Sequence, residues 1–203
     1  AKIELPLKIY GHGWILSDDQ KMSKSIGNIL DPLEIIDKYG IDQLRYYLIK
    51  EVSLGNDGNI SMENLKNCIN NDLANNFGNL CQRVFSFIEK NCFGKLPVPT
   101  KLEDVDLNLI NNLTNKVNEL INDMNNQDLN NYVKKVVEFS FNANKYFNDL
   151  EPWALKKTNT NRMNTILYTI VTQIKNISIL LSPIIPISSK KILDIMNLSD
   201  KDR

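Results

Sequence analysis

Apolar residues recur at steps of three and four through Leu65, Ile69, Leu73, Phe77, Leu80, Val84 and Ile88. This single stripe predicts one long helix from Ser61 to about Cys92. Three further runs carry the same period: Asp106 to Met124, Asp128 to Leu150, and Asn161 to Leu181. Pro183 and Pro186 stop the last of them, and an amphipathic segment from Ser188 to Met196 closes the chain. Lys95-Leu96-Pro97-Val98-Pro99 reads as an extended linker. The chain is therefore expected to be mainly α, with an antiparallel bundle of four or five helices.

The residues ahead of the bundle follow another pattern. Leu5 to Leu16 reads as a strand or extended segment, and Ser17-Asp18-Asp19-Gln20 as a turn. Asp31-Pro32-Leu33-Glu34 is a helix start: Asp31 caps, Pro32 takes the first helical position, and Glu34 falls where a capping-box carboxylate reaches back. Gly40 ends this short helix, and a second runs from Ile41 to about Val52. Gly55-Asn56-Asp57-Gly58-Asn59 reads as a loop. It divides a strand–loop–helix part, residues 1–60, from the bundle, residues 61–203.

Composition narrows the function classes. The 203 residues carry 24 Lys+Arg against 24 Asp+Glu, so bulk charge does not favour nucleic acid, and any RNA contact must come from local clusters. The candidates are Lys134-Lys135, Lys156-Lys157 with Arg162, and Lys190-Lys191, each of which also reads as a solvated helix face. Cys68, Cys81 and Cys92 are odd in number and widely spaced, which fits a reducing compartment and argues against zinc or a disulfide framework. One histidine, His12, excludes a metal site built from several imidazoles. No signal peptide opens the chain, and the apolar stretch from Ile166 to Ile187 is broken by Gln173, Lys175, Asn176 and two prolines. The expectation is a cytoplasmic protein with no membrane partner.

The strongest chemical signal is Lys21-Met22-Ser23-Lys24-Ser25, followed by Ile26-Gly27-Asn28. Two lysines flank a Met-Ser pair on a loop, placing two flexible ammonium groups where a polyphosphate can sit. When ATP adenylates a carboxylate, negative charge builds on the α-phosphate and on departing pyrophosphate. Ammonium groups on a closing loop neutralise that charge selectively in the transition state. Ser23, Ser25 and Gly27 keep such a loop small and mobile.

The eight-residue string resembles the second ATP-handling motif of class I aminoacyl-tRNA synthetases, and the first, His-Ile-Gly-His, is absent from these residues. The string is shared by the isoleucyl, valyl, leucyl, cysteinyl and methionyl enzymes. Tyr39-Gly40-Ile41-Asp42-Gln43-Leu44-Arg45-Tyr46-Tyr47-Leu48, then Glu51-Val52, Gly55-Asn56-Asp57-Gly58 and Ser61, is similar to the bacterial type of methionyl-tRNA synthetase. Asp42-Gln43-Leu44-Arg45 stands where the family has Asp-Ala-Leu-Arg. The resemblance implies a carboxy-terminal part of the enzyme, with the ATP loop and the anticodon-binding bundle. It implies ATP with Mg2+ as substrate, methionine bound in the other half, and tRNA(Met) as partner, with no metal site in this part.

It also implies site residues. Lys24 and then Lys21 would contact the ATP phosphates as catalytic groups, with Ser23 and Ser25 in the ATP loop. Asn79 and Arg83, matching a family pair four residues apart, would read the anticodon together with Trp153 of Glu151-Pro152-Trp153. Spacing agrees with this: i and i+4 share a helix face, about 40° apart in projection. An amide and a guanidinium there can read the edge of an unstacked base, on which a tryptophan can stack. Trp14 reads as a packing residue, and His12 as either a shaper of the nucleotide site or a hydrogen-bonded structural histidine. Two alternatives stay open: another class I synthetase of cysteinyl or leucyl type, and a helical RNA-binding module that uses no ATP.

Overall fold

The computed structural model describes residues 4–17, 19–23 and 25–198. The first part of the chain holds three short strands: β1 (Ile15–Ser17), β2 (Gln20–Lys21) and, after two helices, β3 (Gly58–Ile60). They form one sheet in the order β2-β1-β3. β1 and β2 are antiparallel, with Leu16 opposite Lys21, and β1 and β3 are parallel, with Leu16 opposite Asn59. Two expectations are corrected here. The strand option for Leu5 to Gly13 is not met: they pair with no strand among the described residues, and Leu5, Leu7 and Ile9 stand exposed. Gly58 and Asn59 are strand and not loop, because the Gly58 N–H donates to the Trp14 carbonyl at 2.8 Å.

That junction depends on Gly13. A Cβ there would collide with the Asn56 carbonyl and the Asp57 nitrogen, whereas one at Gly11 would meet nothing within 4 Å. The Trp14 N–H then donates to Asp57 Oδ1 at 2.7 Å. Gly13→Ala is expected to cost about 1–3 kcal/mol and to shift Trp14 emission, with Gly11→Ala near neutral, in urea titrations followed by fluorescence.

Helix α1 (Pro32–Tyr39) starts at the expected cap, with Asp31 Oδ1 accepting from the Leu33 N–H at 2.8 Å, but without the reciprocal capping-box bond expected of Glu34. Gly40, at φ 99°, turns the chain directly into α2 (Ile41–Glu51). The long rod that follows is continuous, but only its ends are α-helical: α3 (Met62–Cys68) and α4 (Asn79–Asn91) flank a π-helical segment, Ile69–Gly78. At its end the Asn79 N–H reaches Ala74 O, five residues back. The wider turn moves the buried face off the predicted stripe. Ile69 and Leu73 are only partly buried, while Asp72 and Asn76 are buried. The Asp72 carboxylate and the Asn76 amide oxygen find partners across the bundle, while the buried Asn76 Nδ2 has none among the described residues. Asp72 accepts from Lys50 at 2.6 Å and Tyr46 at 2.8 Å, and Asn76 Oδ1 accepts from Ser140 and Asn144. Burial is the largest single influence on the Lys50 pKa and acts to lower it, but the hydrogen bond to Asp72 together with the surrounding acidic groups holds it raised.

The remaining helices are α5 (Asp104–Thr114), α6 (Val117–Asn125), α7 (Leu129–Asp149), α8 (Pro152–Leu155), α9 (Thr160–Leu181) and α10 (Pro186–Ile195). The run expected as one helix from Asp106 to Met124 is thus two. At the break Thr114 Oγ1 donates back to Ile110 O and Asn111 O, and the Lys116 N–H bonds only three residues back to Leu113 O. Helices α7 and α9 form the centre. Val133, Val136, Ala143, Ile166, Leu167, Ile170, Ile174 and Ile177 are fully buried there, with Leu80 and Val84 of α4 against them. Each larger side chain contributes about 1.5–3 kcal/mol by leaving water.

Helix α2 ties the strand–loop part to this bundle. Buried Asp42 accepts from the Ile187 and Ser188 N–H groups at the start of α10. Arg45 donates to the Ile184 and Pro183 carbonyls, and Asn130 Nδ2 to Lys50 O. The Asp-x-x-Arg element is therefore a clasp on the 183–188 turn. It satisfies helix-end groups that would otherwise lack partners.

Candidate functional site

Two regions carry the predicted site residues. In the first, Lys21 ends β2 and projects its ammonium over the Trp14 ring, 4.5 Å from the centroid. Trp14 does not pack inward as expected but is 64% exposed, so this cation–π contact is open to competition by an anion. Asn28 shapes the turn beyond: its Oδ1 accepts from the Ser23 N–H at 2.8 Å and its Nδ2 donates to Lys21 O at 3.4 Å. Ser23 and Ser25 hydroxyls lie 2.8 Å apart, and the Ile26 and Gly27 N–H groups both reach Ser23 O. Gly27 adopts φ 73°. Asp19 and Asn59 exchange two hydrogen bonds that fasten the β1–β2 turn to β3. Lys24 lies outside the described residues. His12 is exposed, with Nδ1 2.9 Å from the Gly13 carbonyl.

The second region lies on α4, α7 and α8. Glu151, at φ 41°, reverses the chain after α7, and buried Pro152 opens α8. Trp153 is thereby held at the surface, 42% exposed, with its ring edge-on to Phe147 at 5.7 Å between centroids. The Arg83 guanidinium carbon lies 5.2 Å from the Phe147 centroid and 5.8 Å from that of Trp153. Its Nη2 donates to Asn148 Oδ1 at 2.7 Å. The two rings and the Asn148 carbonyl hold the guanidinium in one place. Arg83, Phe147 and Trp153 line a groove of about 270 Å³ with Ser86, Phe87, Lys90 and Asn91. Asn79 sits one turn before Arg83 on α4, half-buried, and is not part of the groove wall.

The structure thus joins Arg83 and Trp153 in one groove, places Asn79 beside it, and supplies Phe147 and Asn148 as supports absent from the sequence reading. Asn144 and Asn148 are one turn apart on α7, facing Asn76 and Arg83 respectively. Spacing alone gives this row no prominence in an Asn-rich chain. Of the basic clusters, Lys156 and Lys157 are exposed just past Trp153, but Arg162 turns inward and binds Asp106 at 2.6 and 2.9 Å. Lys135 pairs with Asp123, and Lys190 with Asp194.

Burial pushes the Cys68 and Cys81 thiols up to about 12, so both remain thiols at neutral pH and are poor nucleophiles. Among the described residues no group of three or more His, Cys, Asp or Glu side chains is arranged to hold a metal ion. Nor is any helix there long and apolar enough to cross a membrane.

Comparison with known proteins bears on both regions. Residues 1–85 match a family described as tRNA synthetases class I (M), and residues 96–203 match the anticodon binding domain of methionyl tRNA ligase. The methionine–tRNA ligase of Brucella suis biovar 1 is 40% identical over 196 residues, covering 97% of this chain and 38% of the relative. That of Mycobacterium leprae is 36% identical, covering 100% of this chain and 38% of the relative. The structure of Mycobacterium tuberculosis methionyl-tRNA synthetase in complex with methionyl-adenylate superimposes with a TM-score of 0.94 at 36% identity, covering 99% of this chain and 40% of that one. The chain spans about two-fifths of the length of these relatives. These matches favour neither a cysteinyl or leucyl enzyme nor a helical module unrelated to ATP. The chain belongs to the methionyl-tRNA ligase family.

Proposed function

We propose that this chain is the part of a methionine–tRNA ligase that supplies the ATP-phosphate loop and reads the anticodon of tRNA(Met). The whole enzyme would activate methionine with ATP and Mg2+ to methionyl-adenylate and pass it to the tRNA in the cytoplasm. Residues 1–60 would complete the catalytic part, and residues 61–203 would form the anticodon-binding part. Lys24 and Lys21 would neutralise the phosphates, with Ser23 and Ser25 shaping the loop. The sequence holds no His-Ile-Gly-His motif, so the chain by itself is expected to form no methionyl-adenylate.

The observation that carries the reading is the half-exposed Trp153 ring beside the fixed Arg83 guanidinium. An exposed ring offers a stacking face to an unpaired base. A held guanidinium offers paired donors to its edge. Asn79, i−4 to Arg83, would add an amide to the same helix face. A direct test uses Trp14→Phe, which leaves Trp153 as the sole tryptophan. Titration with a CAU-loop hairpin is expected to quench Trp153 emission as a base stacks on it. Trp153→Ala is expected to weaken binding roughly 5–150-fold, the equivalent of 1–3 kcal/mol. Unchanged emission at saturation would refute stacking.

A further inference from the structure

A larger cavity adjoins the proposed anticodon groove on the other side of α4. It measures about 650 Å³, within the roughly 300–1,000 Å³ of ligand clefts. Phe85, Tyr168 and Val171 form its apolar walls. Leu96 and Ile195 line it while 43% and 65% exposed. Two ammonium groups, Lys90 from α4 and Lys175 from α9, and one carboxylate, Glu89, also line it. Ser86 and Lys90 line this cavity and the Arg83–Trp153 groove alike. The two hollows therefore share a ridge made of residues one helical turn apart.

We propose that this cavity takes a second unstacked nucleotide of the same RNA loop, one flanking the anticodon triplet, with a base that carries an exocyclic amine. The proposal rests on the anticodon reading of the adjoining groove. Two aromatic side chains suit a base plane. Lys90 and Lys175 suit a phosphate, and they outnumber the Glu89 carboxylate, which is left to accept from the amine. A purely apolar partner would leave three charges without complement. A strand lying in the groove reaches the cavity by crossing only the Ser86–Lys90 ridge.

The test is hairpin binding at fixed salt, with an abasic residue placed in turn at every unpaired position of a CAU loop. Lys175→Glu and Thr172→Phe are two independent ways to spoil the cavity, since Thr172 also lines it. At one position outside the triplet, the abasic change is expected to weaken binding ~tenfold for the unmodified protein and under ~twofold for both variants. Abasic changes within the triplet should cost the same in all three proteins. Equal penalties at every flanking position in all three proteins would overturn the proposal while leaving the anticodon reading intact. If triplet changes and Trp153→Ala also have no effect, the anticodon reading itself fails, and this inference fails with it.

Discussion

Asp106→Ala is expected to destabilise the protein by about 3–5 kcal/mol, the cost of leaving one partner of a buried ion pair uncompensated. The Asp106 carboxylate is fully buried. It accepts two hydrogen bonds from Arg162, one from the Tyr146 hydroxyl and one from the Glu103 backbone N–H. It thereby joins α5, α7 and α9 at one point, and its removal leaves a guanidinium whose side chain is only 11% exposed with the largely solvated Glu103 carboxylate, 3.4 Å from Nε, as its remaining ionic contact among the described residues. Desolvation acts to raise the Asp106 pKa, but Arg162, Tyr146 and the Glu103 N–H outweigh it and hold the carboxyl below its ordinary value. A lowered folded-state pKa means that the unfolded chain binds the proton first as pH falls. The stabilisation is therefore fully present above the unfolded value of ~3.9 and is lost as pH falls through the lower folded value. Urea titrations between neutral pH and pH 3 should show a smaller acid-induced loss for Asp106→Asn, which starts from a lower stability, than for the unmodified protein.

In the whole ligase, Lys24→Ala and Lys21→Ala are each expected to lower the rate of methionine-dependent ATP–pyrophosphate exchange by about 10²–10³-fold, the 3–4 kcal/mol of one lost transition-state donor. The effect should fall on kcat more than on KM, because the charge being neutralised develops only as pyrophosphate leaves. The contact of Lys21 with Trp14 adds a second expectation. If the ammonium leaves the indole for the phosphates, ATP should change Trp14 emission in Trp153→Phe protein, and Lys21→Ala should abolish that change. A rate in either lysine variant within a few-fold of the unmodified enzyme would remove that lysine from the catalytic group.

Much of this architecture was legible from local chemistry. Asp31, Pro32 and Gly40 bound α1 as their side chains and backbone preferences require, and the apolar periods of α7 and α9 mark the centre of the bundle. What escaped depended on contacts between distant residues. Along the π-helical segment Asp72 and Asn76 find buried partners on α2 and α7, and a helical stripe drawn through Ile69 and Leu73 contains no sign of those partners. Arg162 looked like a surface charge until the fold placed Asp106, 56 residues away, beneath it. The candidate site divided in the same way. Arg83 and Trp153 were legible as a pair of residue types at family positions. Phe147 and Asn148, which fix the guanidinium, were not, since an aromatic and an amide on an amphipathic helix read as core and surface.

Anticodon reading by this chain is tested by the ratio of dissociation constants for a CAU hairpin and one with a single changed anticodon base, at one salt concentration. A preference for CAU of roughly 5–150-fold is expected, at 1–3 kcal/mol for the recognised base, falling to near unity in Arg83→Ala. Equal affinity for both hairpins, unaltered by Arg83→Ala, would contradict that reading.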